Sequence, residues 1–420
     1  GLRKSLFWGG ILMIVGSVIL AIDPKNFFFT GIGFTIVGTG FFKPNISSMV
    51  GQLYKNDDPR RDAGFSFFYM GVNLGALIGG YICIAVAEGS LWQSIVPENL
   101  RWNVGFGFAA IVMIISLLTF TQTQKSLGDI GLSPLLHIEK SKKKLYEILT
   151  FVGSLAIVPI IIIMVANTVY TDYFMMIIGP ASILYLFYEM KNFSSVENKK
   201  LLAALIFIIF SIFFWAFFEQ SGGSLSLFAA NNLNNEILGV QLSPNGVNNS
   251  ANSLFVIGFA ALVGLVWLWM AKKKIEPNTV VKFGLAFIFL AAGFWIFYYT
   301  KFFADLNGRT SLGIFTFGWF IITFGELCLS PIGMSAMTKL SPQKTQAVIM
   351  GMWFLASAYG QYFAGLLGAN IAEASENATN LEKLNTYADG YEQLAIYALI
   401  AGVVLIIISP LVKKLMQDVR

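Results

Sequence analysis

Three ionisable residues stand where an apolar chain has least use for them. Lys43 sits in Gly38-Thr-Gly-Phe-Phe-Lys-Pro-Asn45, Glu219 in Phe213-Phe-Trp-Ala-Phe-Phe-Glu-Gln220, and Glu326 in Phe324-Gly-Glu-Leu-Cys-Leu-Ser-Pro331. An ammonium or carboxylate at membrane depth costs about 2.5–3.5 kcal/mol on insertion scales, so it persists with a partner or a ligand. One base and two acids in separate apolar segments point to a polar cavity that binds a charged solute and moves protons. The structural alternatives are a fixed Lys43–Glu326 ion pair, and for Glu326 an acid satisfied by backbone donors near Pro331.

The elements that must carry these groups are membrane helices. The chain is 56% hydrophobic and only 12% charged, too apolar for a soluble core of this size. A span needs roughly 20 mostly apolar residues. Twelve segments qualify, near 5–22, 27–53, 64–87, 102–121, 145–165, 170–190, 201–227, 253–271, 280–299, 312–337, 347–369 and 394–415. The fold class expected is an all-α membrane protein with twelve spans. Of 28 Lys and Arg, only Lys25, Arg101, Lys301, Arg309 and Lys383 fall on one side, Lys43 lies within a span, and the rest fall on the other side. The positive-inside rule makes that rich side, with both chain ends, cytoplasmic. The net charge of +5 is thus a loop effect, and no nucleic-acid partner is implied.

Other chemistries find no support in the pattern. Cys83 and Cys328 fall in spans and His137 in a loop, without metal-ligand spacing, so no metal or cofactor is expected. No nucleophile elbow, phosphate-cradling loop or dinucleotide fingerprint is present, which argues against an enzyme. A channel would want a ring of like polar residues along one pore, not opposite charges on different spans. Pro44 and Pro331 each remove a backbone donor beside a charge, as bent helices at transport sites do. The segments 229–252 and 370–392, rich in Asn, Gly and acid, read as external connectors.

Five blocks, in order, resemble one family. Phe65-Ser-Phe-Phe-Tyr-Met-Gly-Val-Asn-Leu-Gly-Ala-Leu77 is similar to the hallmark of the proton-dependent oligopeptide transporters of the major facilitator superfamily. Gly38–Asn45 with Gly51-Gln-Leu-Tyr54 resembles that family's fourth helix, Phe214–Gln220 the seventh, Gly325–Gly333 the tenth and Met350–Leu355 the eleventh. The resemblance implies a secondary-active proton symporter importing di- and tripeptides by alternating access, functional as a monomer in a bacterial inner membrane. A transporter of another small anionic or zwitterionic solute, such as nitrate, is the alternative. It further implies helices three to six, an inserted pair, then seven to twelve, with the family's first two helices not represented, and a chain inactive if so truncated. The division expected is a partial N-terminal bundle at 1–122, a linker with two inserted helices at 123–200, and a C-terminal six-helix bundle at 201–420.

Residue roles follow from the same resemblance. Lys43 receives the peptide carboxylate and Glu326 its ammonium end, and the two close a cytoplasmic-side gate by pairing. Glu219 is the protonation site, its arginine partner lying on the family's first helix. Asn73 binds the peptide backbone, and Trp215, one turn before Glu219, lines the cavity. Asn252 stands where the family has an Asn-Pro pair, here followed by Ser253. Trp353 and Ser357, both substrate-binding candidates, lie four apart on one helix face, and Trp353 forms an apolar side-chain pocket, with simple packing as its other reading.

Overall fold

The computed structural model describes residues 1–55, 58–87, 91, 92, 94–133, 135, 138–371 and 378–419; His137 and Arg420 lie outside them. The chain is built of α1 Leu2–Ile22, α2 Phe28–Gln52, α3 Arg60–Ala87, α4 Arg101–Thr123, α5 Lys140–Ala166, α6 Thr168–Glu189 and α7 Ser195–Phe218. There follow α8 Ser224–Asn232, a hairpin of β1 Glu236–Ile237 and β2 Val240–Gln241, and α9 Pro244–Lys272. The rest is α10 Thr279–Tyr299, α11 Leu312–Leu340, α12 Gln346–Ile371 and α13 Asn380–Met416. Among the described residues, nine helical stretches are long and apolar enough to cross a membrane.

Three elements differ from the expectation. The apolar stretch 201–227 is not one helix: α7 stops at Phe218, Glu219–Gly222 forms a 3₁₀ turn, and α8 restarts at Ser224. The break falls at the tandem Gly222-Gly223, two residues of low helix propensity in succession. The expected connector 229–252 is about half helical: its first residues end α8, and its last open α9, which Ser243 caps through Gly246 N and Pro244 begins. Likewise α13 starts at Asn380, where Thr379 and Glu382 form a capping box.

Two compact units are present: Gly1–Lys55, Gly75–Lys191 and Lys344–Gly351 make the first, and Asn56–Leu74, Asn192–Gln343 and Met352–Arg420 the second. In the first, α1 and α2 meet backbone to backbone. A Cβ added at Gly9 would lie 2.5 Å from Gly38 O, and one at Gly16 2.5 Å from Gly31 O. With hydrocarbon on both sides of the balance, such close packing is what holds membrane helices together. The Trp8 indole N–H donates to Ser154 Oγ at 2.9 Å, tying α1 to α5.

The second unit is cemented by aromatic rings. Phe297 stacks on Phe315 at 4.9 Å, and Phe228, Phe294 and Tyr391 close around them. These rings join α8, α10, α11 and α13, and α11 also carries Glu326.

Candidate functional site

In the second unit a cavity of about 260 Å³ opens between α7, α9 and α11. Trp215, Glu219, Asn252 and Glu326, all singled out from sequence, line it together. Glu326 is only 3% exposed, in mid-α11 one turn before Pro331. Its carboxylate accepts from Asn252 Nδ2 at 2.6 Å and from the Tyr69 hydroxyl. Asn252 also donates to Thr323 Oγ1 at 3.2 Å, so its amide is aimed from two sides. A buried carboxylate is tolerable only when its oxygens are bonded, and here an amide and a phenol supply those bonds.

Glu219 stands at the break between α7 and α8, half-buried, its Oε1 accepting from Gln361 Nε2 at 3.3 Å. The interrupted helix puts Glu219 and Ser221, both lining residues, in an irregular turn at the cavity rather than in a continuous helix. Trp215 is held against α12: a Cβ at Gly360 would lie 2.2 Å from its own Cβ. The indole N–H groups of Trp215 and Trp319, both cavity residues, find no hydrogen-bond partner among the described residues.

The remaining candidates lie elsewhere. Asn73, half-buried on α3, donates to the backbone of Tyr69 at 3.1 Å and is not among the cavity residues. Trp353 is 3% exposed and fills the space over Gly333, where a Cβ would lie 2.2 Å from its ring, with Phe283 edge-on at 6.0 Å. Ser357 is half-buried on α12, also outside the cavity lining. Lys43 is in the first unit, in mid-α2 one residue before Pro44, with its side chain exposed on the protein surface.

Several cavity residues escape a reading of the sequence. Tyr69 lies four before Asn73 inside the quoted hallmark, and a phenol one turn from a candidate was its signal. Asn248 and Asn249 line the cavity because α9 begins early; the Ser243-Pro244 cap announces that start. Phe218 is also a wall residue, although most phenylalanines pack elsewhere. Lys282 and Lys339, assigned to the loop charges, are instead drawn to Asp62 at 3.0 and 2.7 Å. An acid in the first turn of α3 offers them a better partner than solvent at a helix end.

The sequence profile of the POT family matches residues 3–386. The chain belongs to the POT family. It is 30% identical over 443 residues to a peptide transporter of Yersinia enterocolitica, an alignment covering 100% of this chain and 82% of the relative. A di-/tripeptide transporter of Lactococcus lactis is 31% identical over 439 residues, with 100% and 82% covered. Among solved structures, a variant of a POT peptide transporter in complex with alafosfalin superposes with a TM-score of 0.67 at 30% identity, covering 100% of this chain and 81% of that one. As a POT-family chain with these apolar helices it is a multi-pass integral membrane protein, and its relatives are transporters rather than enzymes.

Proposed function

We propose that this chain is a secondary-active symporter that imports di- and tripeptides together with protons by alternating access. The observation that carries the reading is the shared cavity of Glu219, Asn252 and Glu326, in a chain of a peptide-transporter family. Two carboxyls on one small cavity favour a solute with a cationic end. That prefers a peptide to nitrate, and a binding site to a conducting pore.

Glu326, held by Asn252 and Tyr69, receives the peptide ammonium. Lys43 receives the carboxylate, its position in mid-α2 and its accessible side chain supporting that role. Glu219 carries the proton. Asn73 and Asn252 hold the peptide backbone, Trp215 forms a cavity wall, and Ser357 adds a polar contact. Trp353 acts from behind, holding α11 through Gly333. A proton falling through 100 mV yields about 2.3 kcal/mol, which sustains a roughly fiftyfold solute gradient at one proton each.

The architecture proposed is the major facilitator fold, with α2, α3 and α12 spanning beside the more apolar helices. Residues 1–122 form an N-terminal bundle, 123–200 a linker with two inserted helices, and 201–420 a C-terminal bundle. The lysine-rich side and both chain ends are cytoplasmic, in a bacterial inner membrane, with one chain as the working unit. The test is initial-rate uptake of a labelled dipeptide into proteoliposomes by the full-length protein. Saturable uptake, competed by unlabelled di- and tripeptides and untouched by nitrate, is the expected result. Competition by nitrate instead would overturn the substrate assignment.

A further inference from the structure

Another cavity of the second unit, of about 430 Å³, opens where the end of α8, the start of α9 and the loop before α11 meet. Its polar wall is made by Asn234, Asn235, Ser243, Asn245 and Arg309, and no acid lines it among the described residues. The segments carrying Asn234 and Arg309 are tied backbone to backbone: Thr310 N donates to Asn232 O at 2.7 Å, and Asn234 N to Thr310 O at 2.9 Å. Within that frame the acceptors are already engaged. Asn234 Oδ1 accepts from Leu312 N at 3.0 Å, and Ser243 Oγ accepts from Gly246 N at 3.2 Å. The carboxylate of Asp305 serves its own loop, its Oδ1 accepting from the backbone N–H groups of Asn307 and Arg309, both at 2.9 Å. Arg309 Nη1 donates to Leu233 O at 2.9 Å, and the guanidinium pairs with no acid among the described residues.

What remains for the cavity is a set of donors: the other guanidinium N–H groups, the Asn234 amide N–H groups and the Ser243 hydroxyl. A fixed cation with donors and no acid selects an anion, and the planar fork of an arginine matches a carboxylate. Asn245 adds an acceptor, since its buried Oδ1 has no hydrogen-bond partner among the described residues. A carboxylate beside an N–H is the C-terminal unit of a peptide, and a cavity of this size holds a small solute. Position favours the same ligand. Ser243, Pro244 and Asn245 line this cavity, and Asn248, Asn249 and Asn252 line that of Glu219 and Glu326, so the two follow one another along α9. Asn245 and Asn252 stand about 10 Å apart along the helix axis. Arg309 is one of the few cations on the lysine-poor side, the external one in the topology proposed above. We propose that this cavity is an external docking site, which binds the free carboxylate of a small peptide before the peptide enters the cavity of Glu219 and Glu326. The inference rests on the peptide-transport reading above.

The experiment is protection from labelling in the full-length protein, with Cys83→Ser and Cys328→Ala as background. Asn235→Cys, an exposed position in the cavity wall, is labelled by a membrane-impermeant thiol reagent with and without added solute. The site predicts at least tenfold slower labelling under saturating dialanine, and no slowing under dialanine amide, acetate or phosphate at the same concentration. Two variants place the ligand. Asn234→Asp keeps the acceptor for Leu312 N while exchanging the amide donors for a negative charge, and Arg309→Gln removes the cation. Each is expected to abolish the protection and to raise the KM for dialanine uptake about tenfold, with the rate at saturation kept. Equal protection by dialanine and its amide, protection by acetate or phosphate alike, or protection that survives both variants would overturn the proposal. No dipeptide uptake by the full-length protein with its own residues at these positions would overturn the transport reading, and the docking role with it, while protection by dialanine would still mark the carboxylate site.

Discussion

Asn252 Nδ2 donates to Glu326 Oε2 at 2.6 Å, so the second acid of the cavity is aimed by an amide from a neighbouring helix. The Tyr69 hydroxyl serves the same carboxylate. A hydrogen bond to a charged group contributes about 1.5–3 kcal/mol, or roughly ten- to a hundredfold in a binding constant. Asn252→Ala is therefore expected to raise the KM for dipeptide uptake at least tenfold with a smaller change in maximal rate. Because Tyr69→Phe removes a bond to the same group, the double variant is expected to be non-additive. Unchanged KM in both single variants would separate these residues from peptide binding.

Trp215 reaches the cavity because α12 carries no side chain at Gly360. Gly360→Ala places a methyl 2.2 Å from the Trp215 Cβ and 3.0 Å from its backbone carbon, neither of which can yield cheaply. Overpacking of this kind costs about 1–3 kcal/mol. Thermal unfolding in detergent is expected to show a lower Tm, and uptake is expected to fall because the wall shifts. A variant with wild-type Tm would mean that α12 has slack at this point.

The cap of α13 provides a contrasting case. Glu382 N donates to Thr379 Oγ1 at 3.3 Å, and Thr379 N donates to Glu382 Oε2 at 2.7 Å. Thr379→Ala is expected to cost about 1 kcal/mol of stability. The cavity is not touched, so KM and the pH profile of uptake should stay as they are. Altered substrate kinetics would show that this end of the molecule communicates with the site.

Much of this architecture could be read from the residues, and the misses have physical causes. Glu219, Trp215 and Glu326 were visible because an ionisable group in an apolar run needs a reason, and the family blocks placed them. Asn252 came from the family position alone. Tyr69 was hidden by chemistry: a phenol in a span is unremarkable until a carboxylate is found opposite it, and that carboxylate is far away in sequence. Apolar runs gave helix bodies well but helix starts badly, as Pro244 and Asn380 show, since polar first turns look like loops unless their caps are weighed. The break at Gly222-Gly223 was lost for the converse reason, because hydrophobicity continues across it. Lys282 and Lys339 read as loop charges in the sequence, because a lysine near a helix end fits the positive-inside pattern whether or not an acid lies beside it.

The central claim is proton-coupled accumulation through Glu219, and one experiment tests it most directly. Dipeptide uptake into proteoliposomes is measured under an imposed proton gradient, acid outside, beside peptide-for-peptide exchange without a gradient, for the full-length wild-type protein and its Glu219→Gln variant. Glutamine keeps the shape and the hydrogen bond from Gln361 but cannot release a proton. The account predicts that the wild type concentrates dipeptide and does so more strongly as external pH falls. It predicts that the variant still exchanges peptide while failing to accumulate it. Gradient-driven accumulation by Glu219→Gln at the wild-type level would contradict the account.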